Sequence, residues 1–169
     1  MVLMLMRHPH TLANHQKTFP RYNKSPYSEQ GQREIIETLK RDFNVELILS
    51  SPYERARKIA EAIGEKEQIP VRIVDVLREV DMGDFGGKTF QEIQRDFPEE
   101  TKAWLQDPEH FRYPGGDALS ERRDQLREVL QSLDRDTLII SHQAILYSLT
   151  EMLGDKKSFN TGEIITYEL

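Results

Sequence analysis

Val2-Leu3-Met4-Leu5-Met6-Arg7-His8 begins as an unbroken apolar run and ends in an arginine beside a histidine. The run reads as a short buried strand. In open α/β sheets ligands bind outside the carboxyl ends of the strands, so Arg7 and His8 stand where a pocket is expected. The pair suits an anion. A guanidinium presents a planar fork of donors matched to phosphate or carboxylate, and a neutral imidazole can attack phosphorus to form a covalent phosphohistidine. The plainer reading is a surface charge next to a hydrogen-bonded histidine, and a dipeptide alone does not choose between the two.

Outward from that stretch, strand-like runs alternate with amphipathic ones. Val45-Glu46-Leu47-Ile48-Leu49, Val71-Arg72-Ile73-Val74 and Thr137-Leu138-Ile139-Ile140 read as further strands, the last leading straight into Ser141-His142. Between them, a helix starting near Ser28 carries Ile35, Ile36, Leu39 and Phe43 on one side. Ser51-Pro52-Tyr53-Glu54 reads as a capping box with proline at the first helical position, and Ala56, Ile59, Ala60 and Ile63 form the buried face of its helix. Leu126, Val129, Leu130 and Leu133, then Ile145, Leu149, Met152 and Leu153, mark two later helices. This alternation predicts an α/β protein with a largely parallel sheet. The closing run Glu163-Ile164-Ile165-Thr166-Tyr167-Glu168-Leu169 alternates and predicts an edge strand, which could pair across a homodimer.

Less regular segments lie between these elements. A polar loop runs through Thr18-Phe19-Pro20 and Asn23-Lys24-Ser25-Pro26, and residues 77–87 are acidic and glycine-containing. Thr89-Phe90-Gln91-Glu92 is a second capping box, opening a short helix that Pro98 stops. Another short helix around Trp104-Leu105 ends near Asp107-Pro108, and Tyr113-Pro114-Gly115-Gly116 turns the chain. Residues from about 85 to 116 are expected to form a lid over the sheet edge.

At 169 residues, the chain predicts one domain over 1–169. Hydrophobic content of 37% with 31% charged residues is that of a globular chain rather than a disordered or membrane-spanning one. The start lacks the basic region and long apolar stretch of a signal peptide, so a cytoplasmic location is expected. The absence of cysteine excludes disulfides, thiolate zinc sites and cysteine nucleophiles. A net charge of −6 argues against general nucleic-acid or membrane-surface binding, which call for a basic face.

Three expected strand ends carry a cation or imidazole: Arg7 with His8, Arg55, and His142. Phosphoryl transfer to His8 needs donors for the equatorial oxygens, a neutral imidazole, and an acid that protonates the departing alkoxide. Arg7, Arg55 and His142 can supply the donors. Glu79, in the acidic loop, can supply the acid if burial raises its pKa, with Asp81 or Asp84 as alternatives. A metal reading also stays open, with His8 and His10 as an H-x-H pair and His15, Asp84, His110 or His142 as further ligands, although Arg7 would repel the cation. His15 and His110 otherwise read as solvent-facing or hydrogen-bonded loop residues. Trp104, Phe97, Phe111 and Tyr113 either line the lid or simply pack.

Four motifs now stand in order. Arg7-His8-Pro9 is followed by Thr11 and, six residues past the histidine, by Asn14; Ser50-Ser51-Pro52-Tyr53-Glu54-Arg55-Ala56 follows the second strand; Leu77-Arg78-Glu79 precedes Gly83 and Gly87; Ser141-His142 follows the late strand. Over nearly the whole chain they resemble the histidine phosphatase superfamily, in the branch that includes cofactor-dependent phosphoglycerate mutases and α-ribazole phosphatases. The resemblance implies a three-layer α/β/α sandwich with a small helical lid and no metal or organic cofactor. It implies His8 as phosphorylated nucleophile, Glu79 as acid, and Arg7, Arg55 and His142 holding the phosphate with help from Asn14. Three positions depart from the family pattern. Pro9 stands for glycine, His10 for the glutamate of many members, leaving the pocket floor less acidic, and Gln143 for a glycine, so that a side-chain amide replaces a backbone N–H near the phosphate. Within the family, a mutase must shield phosphohistidine from water, and a lid of only about thirty residues on a chain ending at its edge strand favours hydrolysis of a small phosphorylated metabolite. The stretch from Thr89 to Asp117 is similar to the lid of α-ribazole phosphatases, which makes α-ribazole 5′-phosphate a candidate. Phosphoglycerate mutase-type transfer and a non-catalytic phosphate-binding module are the alternatives.

Overall fold

β1 (Val2–Arg7) sends Leu3 and Leu5 to one face of the sheet and Met4 and Met6 to the other, as the two-residue period of a strand requires. The same parity splits β2 (Leu47–Ser50), with Leu47 and Leu49 on the first face and Ile48 on the second. It also splits β4 (Thr137–Ser141), with Ile139 against Leu138 and Ile140. An unbroken apolar run therefore feeds two cores at once, which gives the chain three layers.

The computed structural model describes residues 1–20 and 25–169. Its sheet adds β3 (Val71–Ile73) and β5 (Ile164–Glu168), in the order β3-β2-β4-β1-β5. All pairings are parallel except that of β5, which runs antiparallel on β1 at the edge. One face is covered by α2 (Glu29–Leu39) and α3 (Glu54–Glu67), whose Ala56, Ile59, Ala60 and Ile63 are buried on the Met6–Ile48–Ile140 side. The other is covered by α6 (Arg123–Gln131) and α7 (Gln143–Met152) through Leu126, Ile145, Leu146 and Leu149. Each fully buried Leu or Ile is worth roughly 1.5–3 kcal/mol. Short α1 (Leu12–Gln16), α4 (Phe90–Asp96) and α5 (Pro98–Gln106) lie toward the carboxyl edge. Among the described residues, no helix is long and apolar enough to cross a membrane.

Ser28 caps α2 through Gly31 N–H, and Thr89 and Glu92 close a reciprocal capping box on α4, as their spacing predicts. Other local expectations shift. Ile36 is exposed and Phe43, though buried, lies beyond the end of α2, so its apolar stripe is narrower than the sequence suggests. α3 starts at Glu54 behind an uncapped Tyr53, because the Ser51 hydroxyl is committed to Tyr53 N–H and to His142. α4 already ends at Asp96, and Pro98 opens α5 at a position where its missing N–H costs nothing. Asn23 and Lys24 lie outside the described residues.

Candidate active site

The register of the sheet brings the chemistry to one edge. Arg7 pairs with Ser141 across β1 and β4, and His8 N–H donates to the Ser141 carbonyl at 3.1 Å. The next residue of each strand is thus a histidine, and the rings of His8 and His142 sit with centroids 5.1 Å apart. Arg55, in the first turn of α3, is buried beside them with its guanidinium 5.1 Å from the Tyr53 ring centroid. Together with Glu79, Asn14 and Gln143, the residues Arg7, His8 and Arg55 line a cavity of about 390 Å³.

His8 Nδ1 lies 2.7 Å from the Pro9 carbonyl. That oxygen can only accept, so Nδ1 carries the proton and Nε2 keeps its lone pair. The interaction uses the carbonyl of residue 9 and not its N–H, which is why proline serves there. Burial, and then Arg55, hold the His8 pKa well below the ordinary value of 6.5 against the opposing pull of the Pro9 bond, so the ring is neutral. His142 Nε2 lies 2.7 Å from Ser51 Oγ, and its buried Nδ1 has no hydrogen-bond partner among the described residues. With Ser51 donating to Nε2, Nδ1 is a spare donor. Burial, Arg55 and His8 push this pKa well down too.

Arg7 is held from behind. Its Nη1 donates to the Phe159 carbonyl at 2.7 Å and reaches Gln143 Oε1 at 3.4 Å, while its buried Nε has no partner among the described residues. Gln143 Oε1 also accepts from Phe159 N–H at 3.0 Å. The carbonyl half of Gln143 thus braces Arg7, leaving the NH₂ as its donor group. Asn14 uses Oδ1 to accept from the Thr11 N–H and hydroxyl, which leaves its NH₂ as well.

Glu79 Oε1 accepts from Val80 N–H at 3.0 Å and Oε2 from Ala144 N–H at 3.3 Å. Burial nonetheless raises its pKa, outweighing these bonds and the charges of Arg55 and Arg7. Asp81 and Asp84 do not line the cavity; Asp81 Oδ1 accepts from Gly83 N–H instead. His10 departs from the expectation of a less acidic pocket floor. It lies outside the cavity, with Nδ1 2.6 Å from Ser28 Oγ and its N–H on Glu34. His15 is exposed, and His110 is exposed beside Asp107. Among the described residues, no group of three or more His, Cys, Asp or Glu side chains is arranged to hold a metal ion.

The upper wall is apolar. Phe19, Met82, Trp104, Tyr113, Leu119 and Tyr147 face the cavity, while Phe97 and Phe111 pack on buried Phe85 behind it. Burial and the nearby Glu79 raise the Tyr113 pKa. Sequence reasoning missed Ser51, Phe159 and Ser141, whose hydroxyl donates to the Leu77 carbonyl at 2.6 Å and ties the acid loop to β4. Of these only Ser51 and Ser141 carried a signal, as the neighbours of motif residues.

A sequence model described as the histidine phosphatase superfamily (branch 1) matches residues 3–161. The adenosylcobalamin/alpha-ribazole phosphatase of Escherichia coli is 28% identical over 160 residues, 90% of this chain and 79% of that one. An uncharacterized phosphatase of Bacillus subtilis is 27% identical over 169 residues, 95% of this chain and 82% of its own. The crystal structure of the alpha-ribazole phosphatase from Shigella flexneri shares the fold with a TM-score of 0.86 at 24% identity, over 100% of this chain and 91% of that one.

Proposed function

Because the chain belongs to branch 1 of the histidine phosphatase superfamily, we propose that it is a phosphatase that hydrolyses a small phosphomonoester through a phosphohistidine at His8. The observation that carries this reading is a single cavity holding a neutral imidazole, two guanidiniums and a carboxyl whose pKa is raised. His8 Nε2 attacks phosphorus while the ester P–O bond breaks, and Glu79 gives its proton to the departing oxygen. Arg7, Arg55, His142 Nδ1 and the amides of Asn14 and Gln143 bind the three equatorial oxygens, where charge develops. Water then attacks the phosphorus of phosphohistidine and loses its proton to Glu79, and the P–N bond breaks to release phosphate.

Hydrolysis is favoured over transfer to a second hydroxyl because relatives covering most of the chain are named phosphatases. The name of the Escherichia coli relative and the apolar wall of this cavity make α-ribazole 5′-phosphate the first ester to assay. The test is steady-state hydrolysis of p-nitrophenyl phosphate and of that ester, with excess chelator and with His8→Ala. Chelator-resistant turnover that the substitution abolishes supports the reading. Turnover that survives His8→Ala and is lost to chelator would replace it with metal-assisted hydrolysis.

A further inference from the structure

Arg122 is buried at the end of the short 3₁₀ turn Leu119–Arg122, outside the cavity, and its guanidinium is shared between the acid loop and Asp117. Its Nη1 donates to the carbonyls of Arg78 and of Glu79, the latter at 3.1 Å, and its Nη2 pairs with Asp117 Oδ2 at 2.7 Å. With Ser141 on the Leu77 carbonyl, the main-chain oxygens of three consecutive residues, 77 to 79, are each bound by a side chain. Asp117 extends the clamp, since its own N–H donates to the Asp81 carbonyl at 2.9 Å. Backbones approach closely here: a Cβ on Gly116 would lie 2.2 Å from the Asp81 oxygen, and one on Gly83 2.1 Å from that of Pro114. Only glycine fits either place.

The pair is a modest source of stability: burial of Arg122 costs desolvation, and the Asp117 side chain keeps 34% of its surface exposed, where solvent screens the attraction. What the pair does supply is a fixed position for the main chain that carries the Glu79 carboxyl.

We propose that Arg122, held by Asp117, is a positioning residue that sets the Glu79 carboxyl against the leaving oxygen. This rests on the reading of Glu79 as proton donor. Arg122 makes and breaks no bond; the proton still passes from Glu79 to the ester oxygen as P–O cleaves and N–P forms. A small displacement of a donor costs rate only where the leaving oxygen needs the proton. The p-nitrophenolate ion leaves unaided; phenolate does not.

The experiment compares kcat/KM for p-nitrophenyl phosphate and phenyl phosphate in the wild type, Arg122→Met, Arg122→Lys, Asp117→Asn and Glu79→Gln. For Arg122→Met the expected loss is about 10-fold on phenyl phosphate and under about 2-fold on p-nitrophenyl phosphate. Arg122→Lys, which keeps a donor, recovers part of the phenyl phosphate rate. Equal losses on both esters would overturn the proposal, since general damage to the fold has no leaving-group preference. If Arg122→Met does not fold, Asp117→Asn carries the same comparison with the same two outcomes. Glu79→Gln separates the two levels: a steep leaving-group dependence there with none at Arg122 or Asp117 overturns the clamp alone. No dependence at Glu79 removes the acid assignment and the clamp with it.

Discussion

The floor and the wall of the cavity are built in opposite ways. Arg7, His8 and Arg55 line the floor, with His142 buried against the His8 ring beside it, and all four stand where three adjacent strands hand over to loops or helices. The wall comes from scattered pieces: Phe19 from an early loop, Met82 from the acid loop, Trp104 from α5, and Tyr113 and Leu119 from the turn before α6. The floor is polar and the wall apolar. On the proposed reading, phosphate chemistry belongs to the sheet edge and leaving-group selection to the loops above it, the usual division between scaffold and specificity. Glu79 belongs to both regions, as a loop residue whose main chain is tied to β4 through Leu77 and Ser141.

Substitutions in the two regions should therefore read out differently. The largest effect is expected for His8→Ala, on the order of 10⁴-fold or more in kcat, because among the described residues lining the cavity His8 carries the only imidazole. Stopped assays on an alkyl or aryl ester measure it. Next comes Glu79→Gln, with a loss of roughly 10²- to 10³-fold on poor leaving groups. The same variant should flatten the basic limb of the kcat/KM–pH profile, because a carboxyl with a raised pKa delivers its proton only below that value. A limb unchanged in Glu79→Gln would assign it to another group. Trp104→Ala, in the wall, should act on the other side of the division, raising KM for an aryl ester about 10-fold with kcat within about 3-fold. A fall in kcat with KM unchanged would show that the wall takes part in the chemistry.

The smallest effect concerns stability. His8 and His142 are neutral in the fold, with pKa values below the ordinary 6.5. Their contribution is fully present above that pH and is lost as pH falls from 6.5 toward their folded values, because the unfolded chain takes up protons first. Glu79 has the opposite sign. Its folded pKa lies above the ordinary 4.5, so its contribution is present below 4.5 and lost as pH rises through the folded value. Urea midpoints between pH 7 and 5 should fall with pH more steeply in the wild type than in His142→Gln. Parallel curves would show that His142 is not held neutral by the fold.

The floor was legible in the sequence for a physical reason. Parallel strands announce themselves as apolar runs, and Arg7, His8 and His142 stand at the ends of such runs while Arg55 follows one in the first turn of the next helix, so their coincidence at strand ends was readable, and the family resemblance supplied their roles. The three-layer arrangement was an expectation from the family resemblance, and the two-sided parity of the runs is seen in the sheet itself. Ser51 misled, because its spacing fits a capping box while its hydroxyl serves His142, more than ninety residues away in sequence. His10 misled in a similar way, since Ser28 and Glu34 turn it from the pocket through contacts that no window around residue 10 contains. Arg122 and Phe159 gave no signal at all: the Arg122 side chain reaches the main-chain carbonyl of Glu79, 43 positions away, and Phe159 offers its own main-chain carbonyl to the Arg7 side chain, 152 positions away.

The most direct test of the floor is to trap the intermediate. Turnover of a phosphate-labelled monoester is quenched in alkali, the chain is digested, and the label is located. One acid-labile, alkali-stable label per chain on the peptide containing His8, absent in His8→Ala, is the result predicted by a neutral Nε2 facing two guanidiniums. Steady turnover with no such label, or with the label on another residue, would contradict it.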